Sequence, residues 1–347
     1  MINVGIAGLG FMGMIHFLCY QKVKGAKVLA LCEQDPVKLS GDWRGIKGNF
    51  GPPGQMMDLA KYTRTSDLKE LLADERIDMI DICLPPGAHA EIAIAALKAG
   101  KHVFCEKPIA LSPTDAKRMV KTARNAGKLL MIGHVLPFFP EYAFAYKAIE
   151  GGKYGRLLGA QFKRVISDPK WLTGYYDPKK VGGPMLDLHI HDAHFIRLVC
   201  GMPRAVFTTG RMRGEVAELF TSQFLFADDS LSVSATSGVV QQQGRAFTHA
   251  YEIQLEKATL LFDFSVIGDK PELTMPVTVL TADGKVTRPT LGSGDPLDSF
   301  AAELTEATKC VRSGKESPVL GGQLACDAVE LCQKETESLR KRRLVNI

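Results

Sequence analysis

The stretch "INVGIAGLGFMGMIHFLCYQK", residues 2 to 22, constrains this chain more than any other. An apolar run over residues 2–7 reads as a buried strand, and Gly8, Gly10 and Gly13 follow as G-x-G-x-x-G directly before a helical pattern. In that order the turn brings bare backbone N–H groups and the positive end of a helix dipole to one place. A pyrophosphate fits there, and any side chain at Gly10 would obstruct it. Glycine turns join many strands to helices, so the context decides. "KVLALCEQDP" reads as the second strand, and Glu33 at its end falls about 20 residues beyond Gly13, where an acid meets the ribose hydroxyls of NAD and repels the extra phosphate of NADP. Arg44, in the loop "GDWRGIKGNFGPPGQ", is a cation able to pair with such a phosphate, so the expected cofactor is NAD with NADP left open.

The alternation continues along the chain. "SDLKELLADERI" reads as an amphipathic helix, "DMIDICLPP" as a strand, "AHAEIAIAALKAG" as a helix closed by Gly100, "KHVFCEKP" as a strand, "SPTDAKRMVKTARNAG" as a helix and "KLLMIGH" as a strand. Strands alternating with helices of this length predict an α/β Rossmann domain, a doubly wound parallel sheet, over residues 1–133. Ligands of such sheets lie beyond the carboxyl ends of the strands. The expected cofactor contacts are therefore Gly8, Gly10, Phe11, Met12, Gly13, Glu33, Leu84, Pro85, Pro86, His89, Glu106 and Lys107, with His134 facing nicotinamide or substrate.

Residues 134–347 have a different character. Short β-branched or alternating segments near 157–166, 205–212, 221–226, 231–239, 249–256, 259–264 and 274–289 imply an α+β domain with a large open, mainly antiparallel sheet. Two helical stretches close the chain after Pro296 and are candidates to pack back on the first domain. A sheet this large with no evident cover on both faces implies that a partner subunit buries one of them.

Composition excludes other classes. Across 347 residues, 46% hydrophobic and 23% charged, the net charge of +5 is spread thinly, and the one dense basic run, Arg340 to Arg343, has no aromatics interleaved. No nucleic-acid partner is expected. The eight cysteines stand far apart without a CxxC pair, which suits buried thiols in a reducing cytoplasm. No apolar stretch approaches the ~18 residues of a membrane span.

The segment "GGPMLDLHIHDAHF", residues 182 to 195, holds the remaining chemistry. Pro184 suits a first helical turn and Gly201 a helix end, so residues 187–199 are expected to be helical. On an α-helix His189 and His191 point roughly 200° apart, so the H-x-H does not chelate one ion. Asp187 and His191 share a face, and His194 follows one turn on. An Asp/His/His metal set is conceivable, but no further carboxylate or thiolate completes it, and no metal is expected. Packing is the ordinary reading of His191 alone. Trp171, Tyr175, Tyr176, His134 and His194 are the candidate substrate contacts, since flat aromatic faces match the C–H faces of a sugar ring.

Taken together, "GIAGLGFMGMIH", "DICLPPGAHAEIAIAALKAGKHVFCEKPIALS" and "GGPMLDLHIHD" resemble the glucose-fructose oxidoreductase/inositol dehydrogenase (Gfo/Idh/MocA) family across nearly the whole chain. The resemblance implies a Rossmann domain for NAD or NADP and an open sheet that forms the second domain and an oligomer interface, dimeric or tetrameric. It also implies an active site from the lysine of E-K-P and the Asp and His of D-x-x-x-H. Residue by residue these fall on Lys107, Asp187 and His191. Many members carry arginine where this chain has Pro137, and a third glycine where it has Pro184, so no one member's substrate transfers.

The chemistry asks for such groups. Oxidising a secondary alcohol removes a hydroxyl proton while hydride leaves carbon, and charge develops on oxygen. His191 is the expected general base, Asp187 orients substrate or imidazole, and Lys107 donates to the substrate oxygen. The expected function is hydride transfer between a nicotinamide and a hydroxyl or keto carbon of a sugar, polyol or cyclitol. An NAD-dependent glycosidase working by transient oxidation and elimination is the alternative, and a non-catalytic nucleotide sensor a second one.

Overall fold

A computed structural model describes all 347 residues, which form two compact units. The first comprises Met1–Ala110, Thr114–Phe139 and Ser293–Cys326, and the second Leu111–Pro113, Pro140–Gly292 and Asp327–Ile347.

In the first unit β1 (Ile2–Ala7) leads through the glycine turn into α1 (Phe11–Tyr20) and β2 (Ala26–Cys32). There follow α2 (Pro36–Leu39), β3 (Thr63–Thr65), α3 (Leu68–Ala73), β4 (Met79–Ile82) and α4 (Pro86–Lys98). The series ends with β5 (His102–Glu106), α5 (Pro113–Ala126) and β6 (Leu130–Gly133). The six strands pair in parallel in the order β3-β2-β1-β4-β5-β6. That order reverses between β1 and β4, and sheets of this kind bind ligands beyond the carboxyl ends of the strands at that point. The central strands are buried on both faces, as covered parallel strands must be, and Val4, Ile6, Met79, Ile80 and Phe104 are wholly inaccessible. Trp43 is also fully buried, edge-on to Phe17 of α1, with its indole N–H donated to the Lys38 carbonyl. Trp43 and Ile46 therefore pin the Gly/Pro-rich loop after α2 to the core, while most of its other residues are exposed.

The second unit begins with α6 (Pro140–Glu150) and β7 (Leu157–Ser167), and α7 (Ile190–Cys200) precedes the strands β8 (Ala205–Arg213) and β9 (Val216–Leu225). Then come β10 (Ser232–Val240), β11 (Arg245–Leu255), β12 (Ala258–Ile267), β13 (Lys270–Thr281) and β14 (Val286–Thr287). Helix α8 (Pro296–Ser313) belongs to the first unit; α9 (Gly322–Lys341) runs from the first into the second, and β15 (Val345–Asn346) closes the chain. The nine strands lie in the order β14-β13-β12-β11-β7-β10-β9-β8-β15, antiparallel except where β7 and β10 run in parallel. Burial alternates along them: on β7 Phe162 and Arg164 are buried while Gln161 and Lys163 are exposed. All eight cysteines are free thiols, and no helix is long and apolar enough to cross a membrane.

One expectation needs correction. The segment before α7 is not α-helical from residue 187: Met185–His189 form a π-helical turn, and the α-helix begins at Ile190. A single wide turn leaves the apolar periodicity almost unchanged, so the residue pattern does not distinguish the two.

Arg164 anchors this region, its guanidinium bonded to Asp192 at 2.8 and 2.9 Å with both side chains at 3% exposure or less. Arg164→Ala should lower unfolding stability by about 3–5 kcal/mol, because it strands a buried carboxylate. Arg118→Ala, which breaks an exposed pair with Asp115, should leave the denaturant midpoint in place. Equal midpoints for the two variants would contradict this account of the core.

Candidate active site

The three glycines of the turn do three different jobs. Gly8 has φ +97°, and a Cβ there would lie 2.6 Å from the Cys83 carbonyl oxygen, so only glycine lets β1 turn beside the end of β4. A Cβ on Gly13 would lie 2.0 Å from the Gly8 carbonyl oxygen, so α1 packs against the turn itself. At Gly10 a Cβ would meet no atom within 4 Å. The space over Gly10 is open, the residue caps α1 with no side-chain bond, and the first turn carries no acid. Backbone donors facing open space at a helix start fit a pyrophosphate.

Glu33 accepts from the Leu9 N–H at 2.7 Å and from the Asp35 N–H at 3.0 Å, bracing the turn. A carboxylate accepts roughly four hydrogen bonds, so two amides leave capacity for ribose hydroxyls. Arg44 is exposed and bonds Asp42 through Nε at 2.9 Å and Nη2 at 2.8 Å. Phe11 and Met12 are half-buried in the first turn of α1. Across the switch point Leu84 and Pro85 lie in the β4–α4 loop and Pro86 opens α4. His89 is buried behind that loop, its ring nitrogens 2.7 Å from the Leu84 carbonyl and 2.8 Å from the Pro108 carbonyl. It thereby staples the loop to the E-K-P turn, where the Lys107–Pro108 bond is cis. Burial lowers the His89 pKa against the pull of those two carbonyls.

Glu106 was expected at the cofactor, and its carboxylate lies inward instead, 6% exposed and 3.0 Å from His16 Nε2. His16 Nδ1 is 3.0 Å from Asp81 and 3.2 Å from the Cys83 sulfur. Burial works against a charge on His16, yet the Asp81 carboxylate beside it holds the pKa well above the ordinary value. Burial and then the charge of Glu106 push the Glu303 carboxyl of α8 well up. Sequence reading missed this cluster because His16 lies 65 residues or more from each of the partners it meets. The Lys107 N–H donates to Glu106 Oε2 at 3.3 Å, which ties the lysine's backbone to the cluster. His134 is fully buried just after β6, and Pro137 is buried in the 3-10 turn Leu136–Phe138.

In the second unit Asp187 lies in the π turn and His191 in the first turn of α7, both half-buried, while His194 is fully buried. Tyr175 is 2% exposed; burial and then the Asp187 charge raise its pKa well above the ordinary value. Tyr176 donates to Asp168 Oδ1 at 2.7 Å under the Arg213 guanidinium, 3.8 Å above its ring, and Arg213 bonds the same carboxylate at 2.8 Å. Tyr176 is thus an anchor of the loop, whereas Trp171 is 73% exposed.

A glycine turn of this build, at the switch point of a parallel sheet ordered 3-2-1-4-5-6, defines a dinucleotide-binding Rossmann domain. The chain belongs to the Gfo/Idh/MocA family: residues 2–134 match its "Oxidoreductase family, NAD-binding Rossmann fold" model and residues 142–261 its "GFO/IDH/MocA C-terminal domain" model. Among proteins it is similar to is a myo-inositol 2-dehydrogenase of Thermotoga maritima, 25% identical over 371 residues that span 100% of this chain and 98% of the relative. A 2,7-anhydro-N-acetylneuraminate hydratase of Escherichia coli K12 is 32% identical over 212 residues, 60% of this chain and 53% of that one. In fold the chain is similar to an Agrobacterium radiobacter oxidoreductase solved with NAD+, L-tartaric acid and magnesium, with a TM-score of 0.79 at 21% identity over 99% of this chain and 98% of that one.

The glycine geometry separates binding from folding. Gly10→Ala should leave thermal unfolding unchanged and weaken NAD binding on the order of tenfold or more, as read by calorimetric titration. Gly13→Ala should cost about 1–3 kcal/mol of stability through its clash with the turn. If Gly10→Ala binds NAD as the parent does, the turn is not the pyrophosphate site.

Proposed function

We propose that this chain oxidises a secondary hydroxyl of a sugar, polyol or cyclitol, or reduces the matching ketone, with NAD as its hydride partner. The working groups in this reading are Lys107, Asp187 and His191. It rests above all on one observation: an oxidoreductase glycine turn occurs in a chain that also keeps a lysine in a fixed E-K-P turn and an Asp/His pair one turn apart at a helix start. When bound, the nicotinamide supplies the carbon that accepts or returns hydride.

His191 takes the hydroxyl proton as hydride departs, and returns it in the reverse direction. Asp187 orients substrate or imidazole and favours the imidazolium. Lys107 offers an ammonium N–H to the substrate oxygen and so stabilises alkoxide character. The acceptor-only Glu33 carboxylate favours NAD over NADP, because it attracts ribose hydroxyls and repels a phosphate. Trp171 offers an exposed flat face to sugar C–H groups. The T. maritima relative, named for myo-inositol, supports the cyclitol class.

The E. coli relative, named a hydratase, favours a second reading in which oxidation is transient and the cofactor returns to its starting state. A homo-oligomer through the open face of the nine-stranded sheet is part of the proposal, and exposed Phe207 on β8 supports it. So is a reducing cytoplasm, which eight free thiols suit.

The test follows nicotinamide absorbance with NAD or NADP and a panel of aldoses, inositols, sugar acids and their keto forms. Steady turnover is expected, falling by about 10²-fold or more in Lys107→Ala and in His191→Ala. Product formed without net nicotinamide change would shift the assignment to the transient-oxidation reading. Full turnover in His191→Ala would remove His191 from the mechanism.

A further inference from the structure

His189, the first histidine of the H-x-H, takes no part in the chemistry above, yet it is 0% exposed and its ring is fully engaged. Its Nδ1 lies 2.9 Å from Ser237 Oγ on β10, and its Nε2 lies 2.9 Å from Glu335 Oε2 on α9. Ser237 Oγ in turn donates to Asp192 Oδ2 at 3.5 Å, and Arg164 grips both oxygens of Asp192. Ser222 on β9 donates to Glu335 Oε2 at 2.5 Å, and Thr208 on β8 is 2.8 Å from Ser222. The strand register builds this arrangement: Arg164 pairs across from Ser237, Ser237 from Phe220, and Thr208 from Ser222. The Phe220 ring stands edge-on to His189 at 5.2 Å.

One assignment of donors and acceptors engages every group of the chain. With both ring nitrogens protonated, His189 donates to Glu335 and to Ser237, Ser237 passes its own hydrogen to Asp192, and Arg164 donates to Asp192 from the other side. Two cations and two carboxylates then balance inside the protein, with every charge hydrogen-bonded, as burial demands. Burial by itself would lower the His189 pKa, but the Glu335 charge and hydrogen bond carry it above the ordinary value.

His191 sits between the two anchored residues, His189 two positions before it and Asp192 directly after it. Asp187 lies in the π turn that ends at His189. We propose that the Glu335–His189–Ser237–Asp192–Arg164 relay is a positioning device that fixes the π turn and the start of α7, and thereby sets the placement of Asp187 and His191. Ser237 is its keystone, since it alone joins the two ion pairs. The inference rests on the assignment of Asp187 and His191 as working groups.

Ser237→Ala is the discriminating variant, because it severs the link while leaving every buried charge with its ionic partner. With the fastest substrate of the panel, kcat should fall about tenfold while KM and NADH affinity stay within about twofold, and Ser237→Thr should restore most of the loss. Independently of turnover, amide hydrogen exchange across residues 185–192 should speed up about tenfold in Ser237→Ala, with residues 296–313 unchanged. A Ser237→Ala protein that loses thermal stability but keeps its kcat, or that keeps its exchange rates, overturns the proposal. The underlying assignment fails in a different way: His191→Ala would then turn over normally. If His191→Ala is inactive and Ser237→Ala is unaffected, the assignment stands and the relay is only a core element.

Discussion

The first unit depends on how closely backbone can approach backbone at the glycine turn. The strand β1 ends against the end of β4, and α1 starts so near the turn that no Cβ fits at Gly8 or Gly13. That closeness leaves Gly10 facing open space with helix-start amides behind it, and the Glu33 carboxylate fixes the turn through the Leu9 N–H. The same packing brings His16 of α1 between Asp81 at the end of β4 and Glu106 at the end of β5. One buried imidazole therefore ties the helix that starts at the dinucleotide turn to the strand that ends at Glu106, directly before Lys107.

The second unit solves a related problem with charge instead of glycine. A helix carrying an Asp/His pair must present both side chains in fixed directions, and apolar packing alone holds a helix loosely against rotation or slippage. Buried ion pairs contribute little net stability but penalise every arrangement that breaks them. Arg164–Asp192 and His189–Glu335 sit on the sheet side of the segment that carries Asp187 and His191, which makes one register of that segment much cheaper than its neighbours.

Much of this was legible in the sequence. The parallel sheet followed from strand and helix periods, the second sheet from short alternating segments, and the dinucleotide turn from three glycines and one acid at the expected spacing. What escaped were contacts between residues far apart in the chain. Glu106 reads as a cofactor contact because it precedes Lys107, whereas its carboxylate turns inward to His16, whose place on α1 says nothing about β5. His189 drew no role from the sequence, because its partner Glu335 lies 146 residues on. The π turn was invisible because one wide turn hardly disturbs a helical pattern. Tyr176 carries the same loop signal as Trp171, and only the structure separates an anchor bound to Asp168 from a ring left exposed.

The central claim is that this protein moves hydride between a carbinol carbon and a nicotinamide, and isotope transfer tests that most directly. Inositols and aldoses deuterated at the carbinol carbons would be incubated with the enzyme and NAD+, and the nicotinamide recovered for mass spectrometry. Deuterium on the reduced nicotinamide is the predicted result. Bound NAD+ that never acquires label from any member of the set, with the protein folded and saturated, would contradict the account.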